Sequence, residues 1–188
     1  MATWIFGYGS LIWKAGFEYD DRLVGFIKDY RRVFYQGSTD HRGTPVYPGR
    51  TVTLEPAKGE ICWGVAYKIV GKDRQRNALE HLEVREKQYD KKAYLDIFTE
   101  PSASVPAVSG ALVYIGSSDK KLNQNYLGPA SLQEIAMQIV HAEGPSGPNR
   151  EYLFQLEKAL LELGCEDRHV FDLAKEVRGI LSRENLTS

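Results

Sequence analysis

Cysteine is scarce in this chain: its 188 residues hold only Cys62 and Cys165. The two lie about a hundred positions apart in apolar surroundings. That excludes a disulfide framework or a Cys-x-x-Cys metal knuckle, and the expectation is two buried free thiols. Histidine is nearly as sparse, at four. His81, His141 and His169 show no His-x-x-x-His spacing, so structural or surface roles are expected for them rather than metal ligation. No apolar run approaches the ~20 residues that cross a bilayer. Met1-Ala2-Thr3-Trp4 lacks the basic flank and long apolar stretch of a secretory signal, so a cytoplasmic location is expected. The sequon Asn185-Leu186-Thr187 is then expected to be idle, because its modification requires a secretory route. An excess of one charge is also missing. With 24 Lys+Arg against 25 Asp+Glu the formal net charge is −1, which provides no field to draw nucleic acid or an anionic membrane.

What is present is an ordinary globular composition, 43% hydrophobic and 26% charged. At this length, and with no repeat, low-complexity tract or linker, a single domain over 1–188 is expected. The first half is strand-like. Trp4–Gly7, Leu23–Tyr30, Val33–Gln36, Thr51–Glu55 and Ile61–Ile69 are rich in β-branched and aromatic residues, and Ala57-Lys58-Gly59-Glu60 has the composition of a hairpin turn between the last two. Ala93–Thr99 and Gly110–Ile115 fit two further strands. Between them, Asp73 to about Arg85 has Leu79 and Leu82 at helical spacing.

The second half is helical. Ser131-Leu132-Gln133-Glu134 is a capping box that opens a helix to about Ala142. Asn149 is placed to cap a second helix, with Leu153, Leu156, Leu160 and Leu163 in register until Gly164. Asp167 is placed to cap a third, carrying Phe171, Leu173, Val177 and Leu181. The expected class is α+β, with a small mixed, mostly antiparallel sheet curled towards a barrel and flanked by helices.

Four stretches have the residue types of a site. Phe6-Gly7-Tyr8-Gly9-Ser10-Leu11 follows the first strand, and its two glycines let a ligand approach successive backbone N–H groups, as in an anion cradle; a glycine-containing strand end reads equally well. It is not a dinucleotide fingerprint, since the third position after Gly9 is Ile12. In Glu83-Val84-Arg85-Glu86-Lys87 the charge pattern reads as a solvated helix end. The alternative turns Glu86 inward beside Leu82, where desolvation makes a carboxylate a proton acceptor near neutral pH. The loop from Gln36 to Pro45, with Asp40 and His41, has no nucleophile motif around Ser10 or Ser38 and reads as a strand connection or a pocket wall. Ala142 to Leu153 reads as a turn between helices, with Tyr152 in the first helical turn positioned to aim its hydroxyl into a cleft.

Taken together and in order, Trp4-Ile-Phe-Gly-Tyr-Gly-Ser-Leu-Ile-Trp13, Tyr35-Gln-Gly-Ser-Thr-Asp-His-Arg-Gly43, Cys62-Trp-Gly-Val-Ala-Tyr67, Arg85-Glu-Lys87, Tyr126-Leu-Gly-Pro-Ala130 and Gly144-Pro-Ser-Gly147 with Glu151-Tyr-Leu-Phe154 resemble the ChaC-type glutathione-specific γ-glutamylcyclotransferases. The resemblance runs from about residue 3 to residue 180. It implies a γ-glutamylcyclotransferase-like fold and cleavage of glutathione into 5-oxo-L-proline and L-cysteinylglycine, with no cofactor. It implies Glu86 as the catalytic base. Substrate contacts are expected from Ile5 and Phe6, from the loop Gly7, Tyr8, Gly9, Ser10 and Leu11, and from Gln36, Arg42 and Tyr152. One departure stands out: relatives commonly follow Arg-Glu-Lys with a Gly-Gly-Tyr turn, whereas Gln88-Tyr89-Asp90-Lys91-Lys92-Ala93-Tyr94 follows here.

Overall fold

Strand-forming residues dominate up to Val70, and they pair. In the computed structural model, which describes residues 1–184, β1 (Ala2–Gly7), β2 (Asp21–Ser38), β3 (Gly49–Val70), β4 (Lys91–Ile97) and β5 (Val108–Ile115) form one five-stranded sheet in the order β2-β3-β1-β5-β4. The sequon Asn185-Leu186-Thr187 lies outside the described residues. β1 runs antiparallel to β3, from Ala2 opposite Val70 to Gly7 opposite Val65, and parallel to β5 at Ile5 and Leu112. β4 runs antiparallel to β5. The α+β reading with a mixed, mostly antiparallel sheet therefore holds, although the ladder is an open row of five strands. A separate pair of backbone hydrogen bonds links Phe26 of β2 to Phe98, just past β4.

Two expected pairs of strands are each one long strand, and the hairpin at Ala57–Glu60 is not formed. The reason lies across the sheet. Gly59 has φ +85° and donates its N–H to Asp29 Oδ1 at 2.9 Å, while Asp29 itself has φ +65°. A glycine in the left-handed region is what a hairpin requires, but here two left-handed residues, bonded to each other from neighbouring strands, sit inside strands that run on without reversing.

The chain divides into two compact units, Met1–Arg32 with Leu54–Ser117, and Val33–Thr53 with the chain from Ser118 onward. In the first, α1 (Lys72–Arg85) buries Ala78 and Leu82 against Ile5, Leu11, Ile69, Leu112 and Tyr114, and Phe17, Leu79 and Tyr89 pack on that cluster.

In the second unit the capping box of α2 (Leu132–His141) forms as expected, with Ser131 and Glu134 bonded reciprocally. Two-residue strands β6 (Glu143–Gly144) and β7 (Gly147–Pro148) make the turn into α3 (Asn149–Glu162). α4 (Arg168–Arg183) starts at Asp167, whose carboxylate accepts from the Val170 N–H, and Gly164 at φ +75° follows α3. The cap of α3 is a correction. Pro148 occupies the cap position, and Asn149, fully buried, donates to the Arg50 carbonyl and accepts from the Arg50 N–H. Satisfying both backbone groups of a buried residue outweighs a helix cap as the use of this amide side chain.

Both cysteines are free and buried. No helix is long and apolar enough to cross a membrane. Among the described residues, no three His, Cys, Asp or Glu side chains are grouped to hold a metal ion.

Candidate active site

The chain leaves β1 by folding back on itself. A Cβ on Gly7 would stand 2.4 Å from the Leu11 Cβ, so only glycine allows the turn. Ser10–Ile12 then makes one 310 turn. Every carbonyl along this segment is occupied. Tyr8 O accepts from Arg32 Nη1 at 2.7 Å, Gly9 O from the Ile12 N–H at 3.0 Å, and Ser10 O from the Trp13 and Lys14 N–H groups at 3.2 and 2.9 Å. The Tyr67 hydroxyl donates to Leu11 O at 2.6 Å and reaches Ile12 O at 3.3 Å. By contrast, the amides of Gly9, Ser10 and Leu11 donate to no acceptor among the described residues. Carbonyls turned into the protein and amides left over are what a carboxylate or oxyanion cradle needs.

α1 ends on the same unit. Its last residue is Arg85; Glu86 follows with φ −100° and donates its N–H to Leu82 O at 2.7 Å. Glu83 and Lys87 are exposed, as a solvated helix end would be, but the Glu86 side chain is turned in and only 14% exposed. Burial pushes its carboxyl above the ordinary carboxylate range, and the Arg85 guanidinium, with Nε 3.7 Å from Oε1, partly offsets that rise. Arg85 also donates to Ser10 Oγ at 2.8 Å and to Ala15 O at 3.0 Å. Tyr114 of β5 lies close by. Its carbonyl accepts from the Tyr8 hydroxyl at 2.5 Å, and its own hydroxyl donates to Glu83 Oε1 at 3.4 Å. Lys92 pairs with Glu83 from the other side. Burial, then Glu83, then Glu86 keep the Tyr114 phenol protonated well above its ordinary range. Ile5 and Phe6, both fully buried on β1, support the turn from below.

The remaining expected contacts belong to the second unit. Gln36, fully buried on β2, exchanges amide hydrogen bonds with Asn123 at 3.2 and 2.7 Å. Arg42 donates from Nη1 to Pro148 O and to Glu151 Oε2, each at 3.2 Å, and its buried Nε has no acceptor among the described residues. Tyr152 of α3 is buried against Phe34, and its hydroxyl accepts the Val52 N–H at 3.3 Å. The His41 ring bonds Ser146, and Ser38 Oγ accepts from the Arg42 N–H. His169 is structural, accepting the Phe34 N–H at 3.2 Å. The structure thus holds Tyr8, Ser10, Leu11 and Glu86 in one unit, Ser10 linked to Glu86 through Arg85, and Tyr8 and Leu11 packed with Tyr114, and holds Gln36, Arg42 and Tyr152 in the other.

Sequence reasoning missed Arg32, Tyr67, Arg85 and Tyr114, all of which brace the turn or the carboxylate. Arg32 carried a usable signal. In Tyr30-Arg31-Arg32-Val33-Phe34 strand alternation makes one of two adjacent arginines face inward, and it is Arg32, at 4% exposure.

Against known proteins the chain matches the ChaC-like protein family over residues 3–180. It belongs to that family. Among ChaC-like relatives, it is 69% identical over 182 residues to "Gamma-glutamylcyclotransferase 2-3" of Arabidopsis thaliana, covering 97% of this chain and 92% of that one. It is 40% identical over 185 residues to "Glutathione-specific gamma-glutamylcyclotransferase 1" of Homo sapiens, covering 96% and 80%. Its fold superposes on the crystal structure of a selenomethionine-labelled γ-glutamyl cyclotransferase specific to glutathione from yeast, with TM-score 0.84 and 30% identity over 95% of this chain and 96% of that one.

Proposed function

We propose that this ChaC-like chain is a glutathione-specific γ-glutamylcyclotransferase, a carbon–nitrogen lyase that releases 5-oxo-L-proline and L-cysteinylglycine in glutathione degradation. The observation that carries the mechanism is one buried carboxylate, Glu86, joined through Arg85 to a turn with free amides. Glu86 takes a proton from the α-ammonium of the γ-glutamyl group. The freed amine attacks the γ-carbonyl of the same residue, forming the C–N bond of a five-membered lactam. The charge that gathers on the γ-oxygen, or the α-carboxylate beside it, is received by the amides of Gly9, Ser10 and Leu11. Glu86 then returns its proton to the departing nitrogen as the γ-C–N bond breaks, and the second proton shed by the ring nitrogen goes to the released amine, which leaves as an ammonium. Holding amine and carbonyl together supplies the advantage of an intramolecular reaction.

The same reading assigns substrate contacts to Ile5 through Leu11, Gln36, Arg42 and Tyr152, requires no cofactor, and treats 1–188 as a single domain in the cytoplasm. Support for one domain comes from the uninterrupted family match. Support for a sheet curling towards a barrel comes from the Phe26–Phe98 pair, which links strands at the two ends of the row.

The test is incubation of the purified protein with reduced glutathione, with mass spectrometry of the products. Equal amounts of 5-oxoproline and cysteinylglycine are expected. Neither product with glutathione, but turnover of γ-glutamylalanine, would move the chain to another γ-glutamyl substrate class.

A further inference from the structure

We propose that Arg85 is a positioning residue for this cyclisation, its guanidinium holding the Tyr8–Leu11 turn and the Glu86 carboxylate in one fixed register. The proposal rests on Glu86 being the base. A guanidinium is planar and presents its N–H groups in set directions. Here three of its nitrogens have three tasks. Nη2 donates to Ser10 Oγ at 2.8 Å, Nη1 donates to Ala15 O at 3.0 Å, and Nε faces Glu86 Oε1 at 3.7 Å. One rigid group thus ties Ser10 in the turn and Ala15 just beyond it to the end of α1, 75 and 70 residues further on in sequence.

The group has little room to move. Its side chain is 19% exposed, and a Cβ on Gly16 would stand 3.0 Å from Nη1 and 2.7 Å from His81 Nε2. The contact with Glu86 is of a different kind from the other two. At 3.7 Å it is too long for a hydrogen bond, so the cation orients the carboxylate and favours its anionic form without occupying the oxygen that must take a proton. A lysine would bring the charge but not the fork. The other groups around Glu86 are unlike Arg85. Tyr114 faces it from β5; Glu83 of α1 and Lys92 of β4 meet at the Tyr114 hydroxyl, and Tyr8 from the end of β1 bonds the Tyr114 carbonyl. Arg85 is therefore the cation in direct reach of the base.

The test compares Arg85→Met, Arg85→Lys, Ser10→Ala and Glu86→Gln by kcat and KM for glutathione across pH, with circular dichroism and melting to confirm folding. Arg85→Met is expected to lower kcat about 10-fold or more and to move the acid-side midpoint of kcat/KM up by about 1 pH unit, since it removes the neighbouring cation. Arg85→Lys is expected to keep that midpoint within a few tenths of a unit yet still lose about 10-fold in kcat. Ser10→Ala added to Arg85→Lys is expected to cost little more than Arg85→Lys alone, because both cut the same contact. Wild-type kcat with an unmoved midpoint in Arg85→Met, or fully additive losses in the double variant, overturns the positioning role. Should Arg85→Met not fold, wild-type kcat in Arg85→Lys overturns it equally. An inactive Glu86→Gln beside a normal Arg85→Met condemns the positioning role alone; an active Glu86→Gln removes the base, and this proposal with it.

Discussion

Gly64 and Gly7 meet backbone to backbone: a Cβ on Gly64 would stand 2.3 Å from the Gly7 carbonyl oxygen and 2.7 Å from Phe6 Cζ. The neighbouring Trp63 carbonyl and the Tyr8 carbonyl are both held by Arg32, so the start of the turn is pinned to β3 on two sides. Gly64→Ala must therefore push backbone, not a flexible side chain. The expected cost is about 1–3 kcal/mol in urea unfolding. Because the turn moves with it, kcat/KM for glutathione should fall about 10-fold or more even where the protein is folded. A variant with wild-type stability and wild-type kinetics would show that the approach does not constrain the turn.

Glu86→Gln preserves shape and removes the base. Turnover is expected to drop about 100-fold or more, read as 5-oxoproline release by a protein with unchanged circular dichroism. Stability should move the other way. Burial raises the Glu86 carboxyl above its ordinary 4.5 in the folded chain, so the folded state holds that proton more tightly than the unfolded one. This group's contribution is complete below the unfolded value and is lost as pH rises through the folded one. Above the unfolded value, burying this ionisable carboxyl is thus a cost, and Glu86→Gln is expected to raise Tm by about 2–4 °C at pH 7. The gain should shrink as pH falls towards 4.5 and vanish well below it, where Glu86 is protonated in both states. In the wild type, kcat/KM should begin to fall on the acid side at a pH above 4.5, because a protonated Glu86 cannot accept from the ammonium.

Which of these features the sequence announces follows from how local their causes are. The capping box at Ser131 and Glu134, the Asp167 cap and the stop at Gly164 each rest on contacts within a few residues, and each formed as read. Glu86 does not announce itself. Glu83-Val84-Arg85-Glu86-Lys87 has the charges of an exposed helix end, and three of its members, Glu83, Val84 and Lys87, are exposed. Only the tertiary fold, in which α1 ends at Arg85 with Leu82 packed in the core beside Tyr114, makes this one carboxylate a buried one. Family resemblance singled it out where spacing alone left two readings open. Arg85 and Arg32 were missed because their partners, Ser10 and Tyr8, are brought to them by the sheet.

Gly59 was misread for the opposite reason: a real local signal with a different tertiary outcome. Its φ of +85° excludes most side chains, but nothing lies within 4 Å of a built Cβ. Gly59→Ala should therefore lose about 1–2 kcal/mol from backbone strain alone, and Gly59→Asn less, since Asn tolerates the left-handed region. Neither should change kcat or KM, as a side chain at position 59 points into open space. Equal stability of Gly59→Ala and wild type would mean that the strands relax to ordinary extended geometry without penalty.

Asn149 separates the two uses of an amide at a helix start. If its role were to cap α3, serine would replace it at almost no cost, because serine is an equally good cap. Instead the side chain lies at 0% exposure and closes a two-way bridge, Oδ1 accepting the Arg50 N–H at 2.8 Å and Nδ2 donating to the Arg50 carbonyl at 2.9 Å. A serine hydroxyl is too short to reach both. Either Asn149→Ser or Asn149→Ala would then leave a buried donor or acceptor of Arg50 without a partner, at about 1–3 kcal/mol. The two substitutions are expected to shift the urea midpoint alike. A serine variant that is close to wild type, beside a damaged alanine variant, would restore the capping role and overturn the bridge as the reason for an asparagine here.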